Sequence, residues 1–223
     1  MTVRILYFDD DDRDRRIYGR RLTRGDAEVQ GQAPPPDLSM DVLREHWDLF
    51  LVDYELMGGP AGERANYRGG TLAMNLREHL ADFPVVLFTR RNLLPDRDSH
   101  VLDALQVFDD VVFKGDADSD PSEVVARLGS LGNGFQLLRD SERTWEAAIA
   151  LIGATEAEIP SLQEAAPPLT GGVWETSSFA RWIMRTLLAY PGPLVDALYA
   201  ASQRSPRRLE QVADPRRFSW ANN

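Results

Sequence analysis

Short apolar runs recur along the first half of the chain, and each one stops at a polar residue. The runs cover residues 3–8, 49–52, 84–88 and 111–113, and the residues that follow them are Asp9, Asp53, Thr89 and Lys114. Nearly continuous apolar runs of this length are typical of strands that are covered on both faces. A weaker strand is expected at Glu28 and Val29. The pattern therefore predicts five strands, four of which carry a polar side chain at the carboxyl end.

Helical patterns separate these strands. They are predicted at about 12–23, 39–46, 71–81, 99–106 and 121–131. Regular alternation of strands and helices predicts a parallel sheet with helices on both faces and right-handed crossovers. Ligands of such sheets bind beyond the carboxyl ends of the strands. We therefore expect polar side chains to converge at that edge, namely Asp9, Asp10, Asp53, Thr89 and Lys114.

The chain changes character near residue 140, because helical patterns continue there without strands. Helices are predicted at 141–152, 176–189 and 193–202, which divides the chain into an α/β domain at 1–138 and a small all-helical region at 139–223. The helix at 176–189 carries an aromatic stripe that is typical of a core or a partner interface. Its charges do not form the pattern of a DNA-reading helix, so we expect a protein-interaction module.

Composition removes several classes of function. The chain has 223 residues, no cysteine and a formal charge of -10, which excludes disulfide scaffolds and thiol chemistry. A surface of this charge repels phosphate backbones and anionic lipid, so a nucleic-acid partner and a membrane partner are both disfavoured. No apolar run approaches the length of a membrane span, and the N-terminus lacks a secretory pattern. We therefore expect a cytoplasmic protein.

Lys114 stands out because it is the one lysine of the chain, whereas every other strongly basic residue is arginine. Arginine can replace lysine wherever a side chain only supplies solvated charge. It cannot do so where a compact ammonium must enter a small site. This makes Lys114 a candidate functional residue on composition alone.

Together, the strand-end residues resemble the receiver domain of two-component response regulators. The resemblance covers about residues 1–135 and implies a flavodoxin-like, doubly wound sheet. It also implies that Asp53 accepts a phosphoryl group from a histidine kinase or phosphotransfer protein, and that Thr89 and Lys114 bind phosphoryl oxygens. A magnesium ion would be held by Asp10, Asp53 and the backbone carbonyl of Glu55, with Asp9 as a ligand that acts through a bound water. Clustered carboxylates repel one another, so this cluster needs either protonation or a hard divalent cation, and Mg²⁺ suits because it takes few carboxylates and keeps several waters.

Three positions depart from the receiver pattern. Arg90 replaces the small residue that usually follows the threonine, Val111 replaces the aromatic switch residue, and Gly115 replaces the proline after the lysine. These changes leave the phosphorylation chemistry in place and put the standard conformational switch in question. The acids at the start of the first helix, Asp11, Asp12 and Asp14, are expected to be solvated charges that interact favourably with the positive end of the helix dipole.

Two other functions stay open. A pseudo-receiver would keep the fold and the acidic site and act as an adaptor without phosphorylation. A phosphatase of the haloacid-dehalogenase type would use Asp9 as nucleophile and Asp11 as acid, with Thr89, Lys114 and the Asp109–Asp110 pair nearby. That family prefers Thr or Val where this chain has Arg13, and it gives Asp53 no role. We therefore expect a phosphoacceptor rather than an enzyme. It would signal to a protein partner through residues 139–223, and it could form a homodimer.

Overall fold

The computed structural model describes residues 2–38, 46–58, 65–93, 106–141, 144–147 and 175–182. The strands in these ranges are β1 (Val3–Phe8), β2 (Ala27–Gln32), β3 (Leu49–Val52), β4 (Val85–Thr89) and β5 (Asp110–Phe113). The helices are α1 (Asp12–Leu22), α2 (Gly69–His79), α3 (Lys114–Ser119), α4 (Pro121–Asp140) and α5 (Thr176–Trp182), with a 3-10 turn at Arg91–Leu93. Several predicted helices lie wholly or partly outside the described residues. This holds for all of the helix predicted at 193–202, for most of those at 39–46, 99–106 and 141–152, and for the end of that at 176–189.

The strands form one parallel sheet in the order β2-β1-β3-β4-β5. This is the flavodoxin-like order, which reverses direction next to β1 and opens a crevice between β1 and β3. The predicted fold class is confirmed for this part of the chain. Strand β2 is longer than the weak strand predicted at residues 28 and 29. It is an edge strand that alternates buried and exposed residues over its first half, so its apolar signal is diluted.

Side chains of β1 alternate between two cores, as the period of a strand requires. Ile5 and Tyr7 pack on one face, with Tyr18 and Leu22 of α1 and Leu128 of α4. The opposite face holds a second core under α2, formed among others by Leu6, Phe8, Phe50, Val52, Leu72 and Leu76. The central strands are therefore buried on both sides, which explains why they read as continuous apolar runs.

Helix α4 is longer than predicted and runs through the domain boundary placed at residue 138. Asp120 caps its start by accepting hydrogen bonds from the backbone N–H groups of Ser122 and Glu123, and Pro121 occupies its first position. The helix continues to Asp140, whereas the apolar spacing indicated an end near 131. The division into 1–138 and 139–223 stays a prediction.

Helix α5 packs against the part of the α/β domain that lies away from the carboxyl ends of the strands. Thr176 Oγ1 donates to Asp82 Oδ1 at 2.6 Å, and the backbone N–H of Ser177 donates to the carbonyl of Ala81 at 3.2 Å. Ala81 and Asp82 precede β4, so they belong to the amino edge of the sheet. Among the described residues, no helix has the length and hydrophobicity that crossing a membrane requires.

Candidate functional site

A cleft of about 990 Å³ opens at the carboxyl edge of the sheet. The predicted site residues that line it are Asp9, Asp10, Asp53, Glu55 and Lys114. Thr89 is buried at the end of β4, beside them in strand order. The structure therefore brings the predicted strand-end residues to one place, because parallel strands deliver their carboxyl ends to the same edge.

Lys114 lies buried at the floor of this cleft, where β5 passes into α3. Its Nζ is 2.7 Å from Asp9 Oδ2, 3.0 Å from Asp14 Oδ2 and 3.2 Å from Asp53 Oδ2. An ammonium has three N–H donors, so each can face one carboxylate. Burial alone would lower the pKa of Lys114, but the charges of Asp53 and Asp9 outweigh it and raise that pKa. The side chain is therefore a fixed positive charge.

Asp9 is fully buried, and both of its carboxylate oxygens have partners. Oδ1 accepts a hydrogen bond from the backbone N–H of Asp11 at 2.7 Å, and Oδ2 accepts from Lys114 and from the Tyr7 hydroxyl. Burial raises the pKa of Asp9, although these donors oppose the rise. Burial, followed by the charge of Asp9, also raises the pKa of Tyr7, which keeps the phenol protonated as a donor. Sequence reasoning missed Tyr7, although its position two residues before Asp9 places it on the same face of β1.

Asp53 follows β3 directly and is held by the sheet on one side and Lys114 on the other. Its backbone N–H donates to the carbonyl of Phe8 at 2.9 Å, and its Oδ1 accepts from the backbone N–H of Tyr54 at 2.9 Å. Burial raises its pKa to about 6; Lys114 opposes the rise and Asp9 adds to it. The carboxylate is therefore ionised at neutral pH, yet more basic and more nucleophilic than an exposed one.

Three carboxylates of this cluster could hold a metal ion. Asp9, Asp10 and Asp53 each offer one oxygen, and these oxygens lie within 4.8 Å of one another. Asp10 is oriented by a hydrogen bond from the backbone N–H of Gly58. An all-oxygen set with excess negative charge suits a hard divalent cation, which takes few carboxylates and keeps several waters. The Glu55 side chain is exposed at the same cleft, and its carbonyl as a further ligand stays a prediction.

Two residues fix the surroundings of Asp53. The Thr89 hydroxyl is buried and forms no hydrogen bond of good geometry with a described residue, although it lies close enough to Asp53 to lower the pKa of that carboxyl. Gly69 begins α2 against the backbone of Asp53, and its N–H donates to the carbonyl of Tyr54 at 2.9 Å. A Cβ at Gly69 would collide with the Asp53 carbonyl oxygen, so only glycine allows this close approach.

Asp14 corrects the sequence interpretation of the first helix. It was expected to be a solvated charge, but it is buried on the face of α1 that also buries Tyr18 and Leu22. Its Oδ2 lies 3.0 Å from both Lys114 Nζ and Arg90 Nη2. The i, i+4, i+8 spacing of these three residues was the available signal. Asp11 and Asp12 are exposed, as expected, and Asp11 caps the helix.

The other departures from the receiver pattern have different surroundings. Val111 is half-buried and packs against the core under α2. Gly115 is the second residue of α3, and a Cβ there would meet open space. The Asp109–Asp110 pair begins β5 at the amino edge of the sheet, where Asp109 pairs with Arg77 and Asp110 with Arg127. The structure therefore does not bring this pair to the cleft that holds Asp9.

Comparison with solved structures finds receiver domains of response regulators among the similar folds. The N-terminal signal receiver domain of a two-component response regulator from Bacteroides fragilis is 18% identical, covers 59% of this chain and 98% of its own, and has a TM-score of 0.46. A CheY-like receiver domain protein from Methanospirillum hungatei is 16% identical, with coverages of 61% and 98% and a TM-score of 0.47. The receiver domain of a Francisella response regulator is 15% identical, with coverages of 59% and 98% and a TM-score of 0.45. No protein-family model matches the chain, and no curated protein matches it. The fold assignment accordingly rests on the strand order of the sheet.

Proposed function

We propose that this chain is a response regulator whose receiver accepts a phosphoryl group on Asp53. The observation that carries the proposal is the position of the Asp53 carboxylate, which is buried 3.2 Å from the Lys114 ammonium and belongs to an acid cluster able to hold a metal ion. In the transfer, an Asp53 oxygen attacks the phosphorus of the donor, the bond from phosphorus to the donor breaks, and its electron pair leaves with the donor. A phosphohistidine of a kinase or phosphotransfer protein fits this role, since a ring that carries a proton on its other nitrogen leaves as a neutral imidazole.

The residues of the site have different roles in such a transfer. Asp9, Asp10 and Asp53 would hold Mg²⁺, which supplies positive charge next to the incoming phosphoryl oxygens when bound. Lys114 supplies the second positive charge, and the Thr89 hydroxyl has a donor available for a phosphoryl oxygen. Asp53 needs no general base, because it is already ionised at neutral pH. Catalysis then consists mainly of positioning and charge neutralisation.

The segment 139–223 is proposed as the output module, which binds a protein partner rather than DNA. Support comes from α5, which buries Phe179 and Trp182 and docks on Ala81 and Asp82 at the amino edge of the sheet. These contacts lie at the amino edge of the sheet, away from the cleft that holds Asp53. The proposal includes a cytoplasmic location and no catalytic turnover of an external substrate.

Intact mass of the full chain tests the function after incubation with Mg²⁺ and acetyl phosphate. The wild type is expected to gain one phosphoryl group, and Asp53→Asn is expected to gain none. Asp12→Asn is the matched control, since it makes the same change at an exposed acid of the same cleft and should be labelled like the wild type. Labelling of Asp53→Asn would overturn the assignment, and an adduct mapped to Asp9 would support the phosphatase instead.

A pseudo-receiver is the second candidate, and one observation favours it. Lys114 already faces three carboxylates, so the charges of the site are partly neutralised without a phosphoryl group. Such a chain would act as an adaptor in one conformation. Failure of the wild type to take up a phosphoryl group, under conditions in which Mg²⁺ demonstrably binds, would select this function.

A further inference from the structure

Three arginines line the acidic cleft, but they differ in what they contact. Arg15 donates to the backbone carbonyl of Asp9 at 2.6 Å and pairs with the exposed Asp12. Arg68 stacks on the ring of Tyr54, 5.7 Å from its centroid, and donates to its hydroxyl. Arg90 contacts a buried carboxylate of the site, through the 3.0 Å hydrogen bond from its Nη2 to Asp14 Oδ2.

Asp14 joins Arg90 to the centre of the site. One oxygen of Asp14 accepts from both Arg90 and Lys114, and Lys114 in turn lies 3.2 Å from Asp53. The Asp14 carboxylate thus links Arg90 to the lysine that faces the proposed phosphoacceptor. Asp14 is held by burial, whereas 55% of the Arg90 side chain is exposed. The guanidinium can therefore shift within the cleft while its anchor stays in place.

The number of donors in the site leaves a place for a further cation beside Lys114, Thr89 and the metal ion. A phosphoryl group on Asp53 brings three acceptor oxygens and further negative charge. Lys114 has three donors, and its contacts with Asp9 and Asp14 leave one for the phosphoryl group. The planar guanidinium of an arginine has five donors and matches the geometry of phosphate oxygens.

We propose that Arg90 is a second cationic ligand of the phosphoryl group on Asp53, and that Asp14 is the residue that positions it. This inference rests on the proposed function and deepens it. It gives a direct role to the position at which the chain departs from the receiver pattern after Thr89. The phosphorylated site would then be closed on its solvent side by an arginine.

Binding of beryllium trifluoride, an anion that mimics a phosphoryl group on a carboxylate, tests the role of Arg90. The full chain is titrated by calorimetry in saturating Mg²⁺, comparing wild type, Arg90→Gln and Arg91→Gln. Arg91 is the matched control, since it is the neighbouring exposed arginine, lies over the Phe113 ring at 4.1 Å and pairs at 3.9 Å with the exposed Asp116, which does not line the cleft. We expect Arg90→Gln to weaken binding about tenfold, as loss of a charged hydrogen bond does. Arg91→Gln should stay within about twofold of wild type.

The outcomes separate this inference from the function on which it rests. No binding to the wild type would refute the phosphoacceptor site itself. Binding to the wild type with equal affinities for both arginine variants would refute only the role of Arg90. The positioning role of Asp14 is tested in an Asp14→Asn background, where Arg90→Gln should change the affinity less than about threefold. A full tenfold loss in that background would show that Arg90 acts without Asp14.

Discussion

Asparagine at position 53 removes a buried negative charge while keeping the shape of the side chain. Burial raises the pKa of Asp53 from 3.8 to about 6. A pKa difference of this size means that ionised Asp53 disfavours the folded state by about 3 kcal/mol. The side chain is 6% exposed, so solvent screens this effect little. This pKa already includes the opposing effect of Lys114, so about 3 kcal/mol is the upper limit of the gain for Asp53→Asn.

The stability gained by Asp53→Asn must increase with pH. The folded state binds the Asp53 proton more tightly than the unfolded state, so the stability contributed by this group is full below the unfolded pKa and is lost as pH rises through about 6. The advantage of Asp53→Asn is therefore small near pH 4 and complete above about pH 7.

Urea denaturation followed by tryptophan fluorescence at several pH values measures this difference. Wild type, Asp53→Asn and the control Asp12→Asn are compared at about pH 4.5, 6 and 7.5, in the absence of divalent cations, and the free energy of unfolding is extrapolated to water. Asp53→Asn should exceed the wild type by an amount that grows with pH. A constant difference between the two proteins, or a less stable variant at pH 7.5, would refute the argument that Asp53 is held as a destabilised anion.

Three further perturbations follow from the same site. Millimolar Mg²⁺ should raise the Tm of the wild type by mass action, and Asp10→Asn should reduce that rise; equal shifts would exclude Asp10 as a ligand. Lys114→Met should lower the free energy of unfolding by about 3–5 kcal/mol at about pH 7, and by less at about pH 4.5, which is below the pKa of Asp53, as urea titrations can check. Gly69→Ala should destabilise the protein by more than about 1 kcal/mol, because the added Cβ would collide with the Asp53 carbonyl. Gly134→Ala is the control and should not, because its added Cβ meets open space in α4. Similar free energies of unfolding for the two variants would contradict the close approach.

Much of the fold and part of the site follow from local pattern. Strands β1, β3 and β4 are buried on both faces, so their residues are almost all apolar and their ends are visible in the chain. Parallel strands share a carboxyl edge, so the meeting of Asp9, Asp53 and Lys114 was predictable without coordinates. Edge strand β2 and the end of α4 were less visible, since a half-exposed element carries a weaker apolar signal.

Only the tertiary structure decided which charges meet inside the cleft. The sequence predicts that Asp14 is a solvated charge, because acids favour the start of a helix. The packing of Tyr18 and Leu22 turns it inward instead, toward a lysine 100 residues away in the chain. The Tyr7 hydroxyl on Asp9 depends in the same way on how β1 sits in the sheet. A sequence pattern shows which faces are apolar, but the partner of a buried charge is set by long-range packing. The chain by itself therefore predicted where a site would lie, and the packing of α1 on the sheet determined its charge balance.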